Sequence, residues 1–394
     1  MSGRKFKIAF SMFCAVLFLA LHSCREDELL FPAEQETVPV DLNTQTDITG
    51  IYLLNEGNMG SNKSTLDFLD FRTGIYSRNI FPEKNPNVVK EMGDVGNDLQ
   101  IYGSKLYVVL NASHKVDVLD LLTAKKITQI DIPNCRFIRF HEGKAYVSSY
   151  AGPIAPGSNA PLGAVYKIDT TTFRTETEVT VGYQPEEMEI IGKYLFVANS
   201  GGYMPPKYDN TVSVIDLDEF KQIRKIPVGI NLHRIRADKY GKLWVSSMGN
   251  REKIPSMLFV LEKQGASGNY AVTDSLDIPC SNFAIRGDSL FLFSVKSDFQ
   301  TGKNQTAFGI INVKTKQLIS ENFISDGTGK EIEMPYGLAL HPENGDIFIT
   351  DAKNYVSSGE LHCYDKTGKR KWSVRTGDIP AHIAFVNKGI NNRR

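Results

Sequence analysis

Apolar and polar positions alternate with a period of two in short runs along most of the chain. One family of runs reads GIYLLNEG, KLYVVLNA, KAYVSSYA, YLFVANSG, KLWVSSMG, SLFLFSVK and DIFITDAK. Runs this short, rich in β-branched and aromatic residues, predict strands rather than helices. After a loop, each is followed by a second alternating run: TLDFLDF, KVDVLDL, AVYKIDT, TVSVIDL, MLFVLEK, FGIINVK and ELHCYDK. A third follows a short turn, as in KKITQIDIP, RTETEVTVG, KQIRKIPVG and KRKWSVRTG. An inner run stands before each copy from the second onward: DLQIYG, RFIRFHEG, EEMEIIG, HRIRADKYG, NFAIRG and GLALHPENG. Four strands recurring roughly every fifty residues predict the blades of a β-propeller.

The first unit lacks an inner run, whereas the chain ends on AHIAFVNKG, which matches the inner runs and has no blade after it. The C-terminal strand is therefore expected to complete blade one. Closure of this kind removes the sheet edges at which proteins aggregate. The expectation is an all-β, seven-bladed β-propeller with four antiparallel strands per blade. It spans residues 48–388 and leaves 389–394 as a tail.

The N-terminal thirty residues break this pattern. Arg4, Lys5 and Lys7 precede fourteen mostly apolar residues, Ile8 to Leu21. A spanning helix needs about twenty, so residues 1–23 read as a secretory signal peptide rather than an anchor. Leu21, His22 and Ser23 before Cys24 resemble a bacterial lipobox, with His22 departing from the usual small or aliphatic residue. That resemblance implies cleavage before Cys24 and its lipidation. Glu26, Asp27 and Glu28 then resemble the acidic surface-export signal of gut-anaerobe lipoproteins. Pro32, Pro39 and many polar residues make 24–47 read as a flexible tether.

Charge narrows the possible partners. Removing residues 1–23 takes away three cations and no anions, turning 45 basic and 45 acidic residues into 42 and 45, a net of −3. Nucleic-acid binding gets no electrostatic support. Beyond Cys24 the mature chain holds Cys135, Cys280 and Cys363, an odd number for a fully paired framework. Cys135 and Cys280 fall at corresponding entrances of blades three and six, too far apart around the ring to bridge. All three are expected to be small core residues.

The two faces of the ring differ. Turns joining strands one to two and three to four are terse: YGSK, HEGK, IGK, RGDS, TTTF and DKTGK. The opposite face carries NEGNMGSNKS, YAGPIAPGSNAPLG, NSGGYMPPKYDN, MGNREKIPS, VKSDFQTGKNQT, DAKNYVSSG and the crossing FPEKNPNVVKEMGDVGND. Long loops on a rigid scaffold are where binding residues concentrate. The candidate ligand contacts there are Asn58, Met59, Asn111, His114, Tyr150, Tyr183, Asn199, Tyr203, Tyr208, Arg251, Phe299, Asn354 and Tyr355, with Lys63 and Lys353 as further cations. Tyrosine and asparagine combine flat apolar area with hydrogen bonds, which suits a large, rigid ligand with a polar fringe or a protein partner.

A second constellation lies where the inner runs begin: Asp98, Arg136, Glu187, His233, Asn282, Gly337 and His382, expected as a ring around the channel mouth. Such a ring can hold calcium or supply acid and base groups. Arg136 falls between the blades of Asp98 and Glu187, so the charges are expected to satisfy one another there instead. No metal site and no cofactor is required by the sequence. It holds no phosphate-cradling glycine loop, no close group of histidines and no nucleophile elbow.

YLFVANSGG and NTVSVIDL resemble the YncE-like YVTN propellers. NEGNMGSNKSTLDFLDF, EMGDVGNDLQIYG, IPNCRFIRFHEG, VGYQPEEMEI, VGINLHR and TGDIPAHIAF, spread over nearly all of the mature chain, resemble the BtuG-type cobalamin-capture lipoproteins. The resemblance implies a surface-exposed lipoprotein of the outer membrane, held there by its lipid alone. It also implies tight binding of vitamin B12 and related corrinoids, delivery to a TonB-dependent outer-membrane transporter, and no catalysis. Two other readings stay open: a lactonase-like, metal-dependent propeller hydrolase using Asp98, Glu187 and Asn282, and an interaction module without a small ligand.

Overall fold

A computed structural model describes residues 32–40, 46–88, 91–152, 160–250, 252–265, 269–298 and 303–389. Residues 1–23, read above as a signal peptide, Cys24 and the acidic run Glu26, Asp27 and Glu28 lie outside the described residues, as do Arg251 and Phe299.

Seven antiparallel sheets form a ring, six of four strands and one of five. The inner strands are Gly96–Tyr102, Cys135–His141, Pro185–Ile191, Leu232–Ala237, Asn282–Arg286, Pro335–Leu340 and, for blade one, the C-terminal Pro380–Asn387. This last strand pairs with Ile48–Asn55, from Ile48↔Asn387 to Asn55↔Pro380, and closes the ring as the sequence predicts. The named helical elements among the described residues are one short helix, Ile80–Lys84, and one 3-10 turn, Thr328–Glu331, with Lys388 and Gly389 also in 3-10 conformation.

The second strands read as nearly continuous apolar runs because both of their faces are buried between blades. In Lys105–Leu110 the period of two divides the residues between two cores. Leu106, Val108 and Leu110 pack with Tyr52, Leu54 and Leu66 of blade one. Tyr107 and Val109 pack with Cys135, Ile138 and Val147 of blade three. Each such leucine or valine contributes about 2 kcal/mol by leaving water. Cys135, Cys280 and Cys363 are buried and unpaired in three of these cores. Trp244 and Trp372 are buried strand residues within the blades.

The tether differs from expectation. Glu34–Thr37 forms a fifth strand on the outer edge of blade one, in register from Glu34↔Arg78 to Thr37↔Ile75. Val38 is buried beside it, and its N–H donates to the Gly74 carbonyl. No alternation marks this strand, since all four of its residues are exposed. Backbone bonds and the pairing of Glu34 and Glu36 with Arg78 hold it.

Candidate functional site

The channel mouth is built by β-bulges. In blade three, Ile138 pairs with Val147 and Cys135 with Ser149, so Arg136 and Phe137 both stand opposite Ser148. The same shift sets Glu186 and Glu187, His233 and Arg234, and Tyr336 and Gly337 opposite single residues of their partner strands. Blades one and two skip one residue, Ala381 and Asn97, whereas Asn282 of blade six pairs without a shift. A bulge re-aims side chains, so two consecutive residues reach the channel. Gly337 marks how tight the bulge is, because a Cβ there would lie 2.2 Å from the Ala381 carbonyl oxygen.

This register corrects the expected ring. Counting back from the paired aliphatic residue of each inner strand, one level holds Asp98, Phe137, Glu187, Arg234, Asn282, Gly337 and His382. Arg136 and His233 stand one residue nearer the loop face, with Asn97, Glu186, Ser281, Tyr336 and Ala381. The neutralising cation is correspondingly Arg139 rather than Arg136. Its guanidinium bridges Asp98 at 3.1 Å and Glu187 at 2.9 Å. Arg136 instead grips Glu186 at 2.9 Å.

The two buried carboxylates on that level are fully engaged. Asp98 accepts from the Leu99 and Ile138 N–H groups, Gln100 and Arg139. Glu187 accepts from the Ile235 N–H, Arg139 and Arg236. Burial alone would raise the Glu187 pKa, but Arg236, Arg234 and Arg139 outweigh it and hold the carboxyl below its ordinary value. Burial, with Arg234, Arg136 and Arg236 nearby, pushes His233 well below the usual imidazole range. Asn282 donates to the Tyr336 carbonyl and accepts from the Phe283 N–H.

Above these levels stand two similar columns of acid and tyrosine. On blades three and four the buried Tyr150 hydroxyl donates to Glu186, and its ring meets exposed Tyr203 edge-on, centroids 6.3 Å apart. On blades seven and one the Tyr336 hydroxyl donates to Glu56 at 2.8 Å, and its ring meets exposed Tyr355 edge-on at 5.9 Å. Each column sets a solvent-facing tyrosine upon a lower one, Tyr150 buried and Tyr336 half-buried. By blade order the columns stand on nearly opposite sides of the mouth. Met59, Ile254 and Val356 add exposed apolar surface on the same face.

Several residues expected to touch a ligand belong to the scaffold beneath. Asn111 is buried and donates to the Cys135 carbonyl. Asn199 is buried and ties Gly182, Thr211 and Ser213 together. Tyr150 holds its column from below, and His114 accepts from the Asn134 N–H through Nδ1. Asn354 caps its own loop at Val356 and Ser357, while Asn58 donates to the Tyr355 carbonyl. Tyr183 and Tyr208 are half-buried beside the Tyr203 loop, and Lys63 is exposed. Lys353 pairs with Glu360. Glu56, Phe137, Arg139, Glu186, Arg234 and Tyr336 escaped the sequence reading. For Glu186 and Arg234 the doubled polar positions before the inner aliphatic residue, EEM and HRI, are the signal that marks them.

A cavity of about 450 Å³ lies elsewhere, on the short-turn face between blades seven and one, lined by Phe71, His341, Phe348 and Trp372 among others. Its charged groups are paired, Asp346 with Lys371 and His341 with the N–H groups of Glu343 and Asn344. Val40 and Thr46 in its wall flank residues outside the description. The loop face, with its unpaired polar atoms and exposed tyrosines, is the stronger candidate. Among the described residues no three His, Cys, Asp or Glu side chains gather as a metal-ligand set.

Solved structures similar to this chain share its fold at low identity. A hypothetical selenium-binding protein from Sulfolobus tokodaii is 11% identical with a TM-score of 0.62, covering 87% of this chain and 94% of its own. The hydrazine synthase of Kuenenia stuttgartiensis is 16% identical with a TM-score of 0.58, covering 75% and 94%. A dihydro-heme d1 dehydrogenase is 11% identical with a TM-score of 0.54, covering 91% and 81%. No curated protein matches the chain. One family model spans residues 49–384, from the second strand of blade one to its closing strand, and by that match the chain belongs to the family described as "Domain of unknown function (DUF5074)".

Proposed function

We propose that this protein is a surface lipoprotein of the outer membrane that binds cobalamin or a related corrinoid on its loop face and passes it to a TonB-dependent transporter. The observation that carries the reading is the pair of tyrosine columns. Tyr203 and Tyr355 are exposed, yet one rests on buried Tyr150 and the other on half-buried Tyr336, each with its hydroxyl bonded to a carboxylate. Held rings lose little freedom on binding, so they serve well as flat anchors for a rigid ligand. A corrinoid is large and flat with a fringe of amides, matching aromatic surface edged by polar loops.

The reading is non-catalytic. Asp98 and Glu187, the acids a propeller hydrolase would need, are taken up by backbone N–H groups and arginines. Stoichiometric calcium in purified protein would favour the hydrolase instead. Exposed Met59, Ile254 and Val356 favour a second partner on the same face, in keeping with a transporter beneath.

The test is titration of cyanocobalamin into the soluble chain from residue 32 onward, following the coloured ligand on gel filtration. Stoichiometric co-elution is expected, with marked weakening in the double variant Tyr203→Ala, Tyr355→Ala. Folded protein that carries no colour refutes corrinoid binding. Unchanged affinity in the double variant refutes the placement of the site.

A further inference from the structure

We infer that Arg234 is a receptor for one small monocarboxylate at the channel mouth, a site that does not depend on the corrinoid reading. Arg234 is 8% exposed and stands at the bulge of blade five. Its guanidinium reaches across the channel to lie 5.1 Å from the centre of the Phe137 ring on blade three. Among the described residues it makes no side-chain hydrogen bond and no ion pair, and its Nε is covered without an acceptor. The other channel arginines differ: Arg136 has Glu186, Arg139 has Asp98 and Glu187, and Arg236 has Glu187. Glu187, the acid one blade away, already takes four donors from Arg139, Arg236 and the Ile235 N–H.

A buried guanidinium whose Nε–H has no acceptor is costly unless something else occupies its edge. The surroundings define that occupant. The planar fork of Arg matches the two coplanar oxygens of a carboxylate. Buried His233 leaves its Nδ1 without a partner, while His382, 6.4 Å from the Phe137 ring, turns its Nε2 to Glu56 at 3.5 Å. Phe137 and Tyr336 supply an apolar wall for a short alkyl tail. Glu56, Asp98, Glu186 and Glu187 ring the same mouth, so a second negative charge meets repulsion. A monocarboxylate therefore fits, and a dicarboxylate or a phosphate dianion does not.

The experiment is saturation-transfer NMR on acetate and on propionate with the soluble chain from residue 32 onward, which contains every described strand, in a fixed excess of chloride. Expected is saturable transfer to both, each displacing the other, with succinate and phosphate at least tenfold weaker. Arg234→Met should abolish transfer. Arg234→Lys, which keeps the charge but loses the fork, should weaken it about tenfold. A thermal scan separates this role from a structural one. Without carboxylate the Arg234→Met midpoint should equal or exceed that of the native protein, and added acetate should raise only the native midpoint. Absence of saturable transfer to the native protein overturns the proposal, as does equal transfer to Arg234→Lys and the native chain. A lowered Arg234→Met midpoint, or its failure to fold, makes Arg234 structural and also overturns it.

Discussion

Replacing Arg139 with methionine removes the one side chain that joins the acids of blades two and four. Its guanidinium bonds Asp98 and Glu187, both with side chains 4% exposed, and is itself only 17% exposed. Removing one partner from a buried ion pair costs about 3–5 kcal/mol, because the other charge is left in a poor solvent. Both carboxylates here keep other donors: Glu187 retains Arg236 and the Ile235 N–H, and Asp98 retains Gln100 and two N–H groups. The expected loss is therefore at the lower end, about 3 kcal/mol. At ~2.1 cal/mol/K per residue, a propeller of about 340 residues has an unfolding entropy near ~0.7 kcal/mol/K, so the midpoint should fall by about 4 °C. The assay is thermal and urea unfolding of native and Arg139→Met proteins between about pH 2 and pH 8. The loss should depend on pH in a definite direction. Glu187 has a depressed pKa in the folded protein, so its contribution is present above its unfolded value of 4.5 and is lost as pH falls through the folded value. The variant loses part of that depression. The gap between the two proteins should be full above about pH 5 and should close as the solution is acidified. A midpoint shift below about 1 °C, or a gap independent of pH, would refute the bridging role.

Three further outcomes are expected. In the soluble chain from residue 32, iodoacetamide at pH 8 should label no thiol until the protein is unfolded and then all three, because burial pushes Cys135 and Cys280 up to about 12 and Cys363 well above its ordinary value; native labelling on mass spectrometry would contradict the packing. Truncation before Pro380 strips the partner of Ile48–Asn55 and uncovers Ile51, Leu53 and Leu54, so cooperative unfolding should vanish from the thermal scan. Removing residues 32–38 should leave the ring folded but lower the urea midpoint and increase aggregates on gel filtration, since the edge Ile75–Arg78 is exposed.

The blades were legible because period-two alternation recurs with similar turns, and closure followed from an inner run left over at the end, AHIAFVNKG. The scaffold beneath the loops was partly misread. Asn111 and Asn199 lie in loop-edge sequence like that around Tyr203, but burial makes them ties between strands rather than contacts. The channel ring was legible in composition and off by one in register at Arg136 and His233. A bulge inserts a residue that pairing patterns reveal and alternation alone does not. Strand Glu34–Thr37 was hidden for a different reason: an exposed edge strand buries no side chain, so it leaves no hydrophobic trace.

That fifth strand places both chain ends in one sheet. Blade one carries the N-terminal strand on its outer edge and the C-terminal strand on its inner edge. A pull on the chain ahead of residue 32 must first break the four-residue pairing with Ile75–Arg78, the grip of Arg78 on Glu34 and Glu36, and the seat of Val38. Only afterwards does force reach the closing pair of strands. Under shear the peripheral strand is therefore expected to yield first, adding length to the chain ahead of it while the ring stays shut.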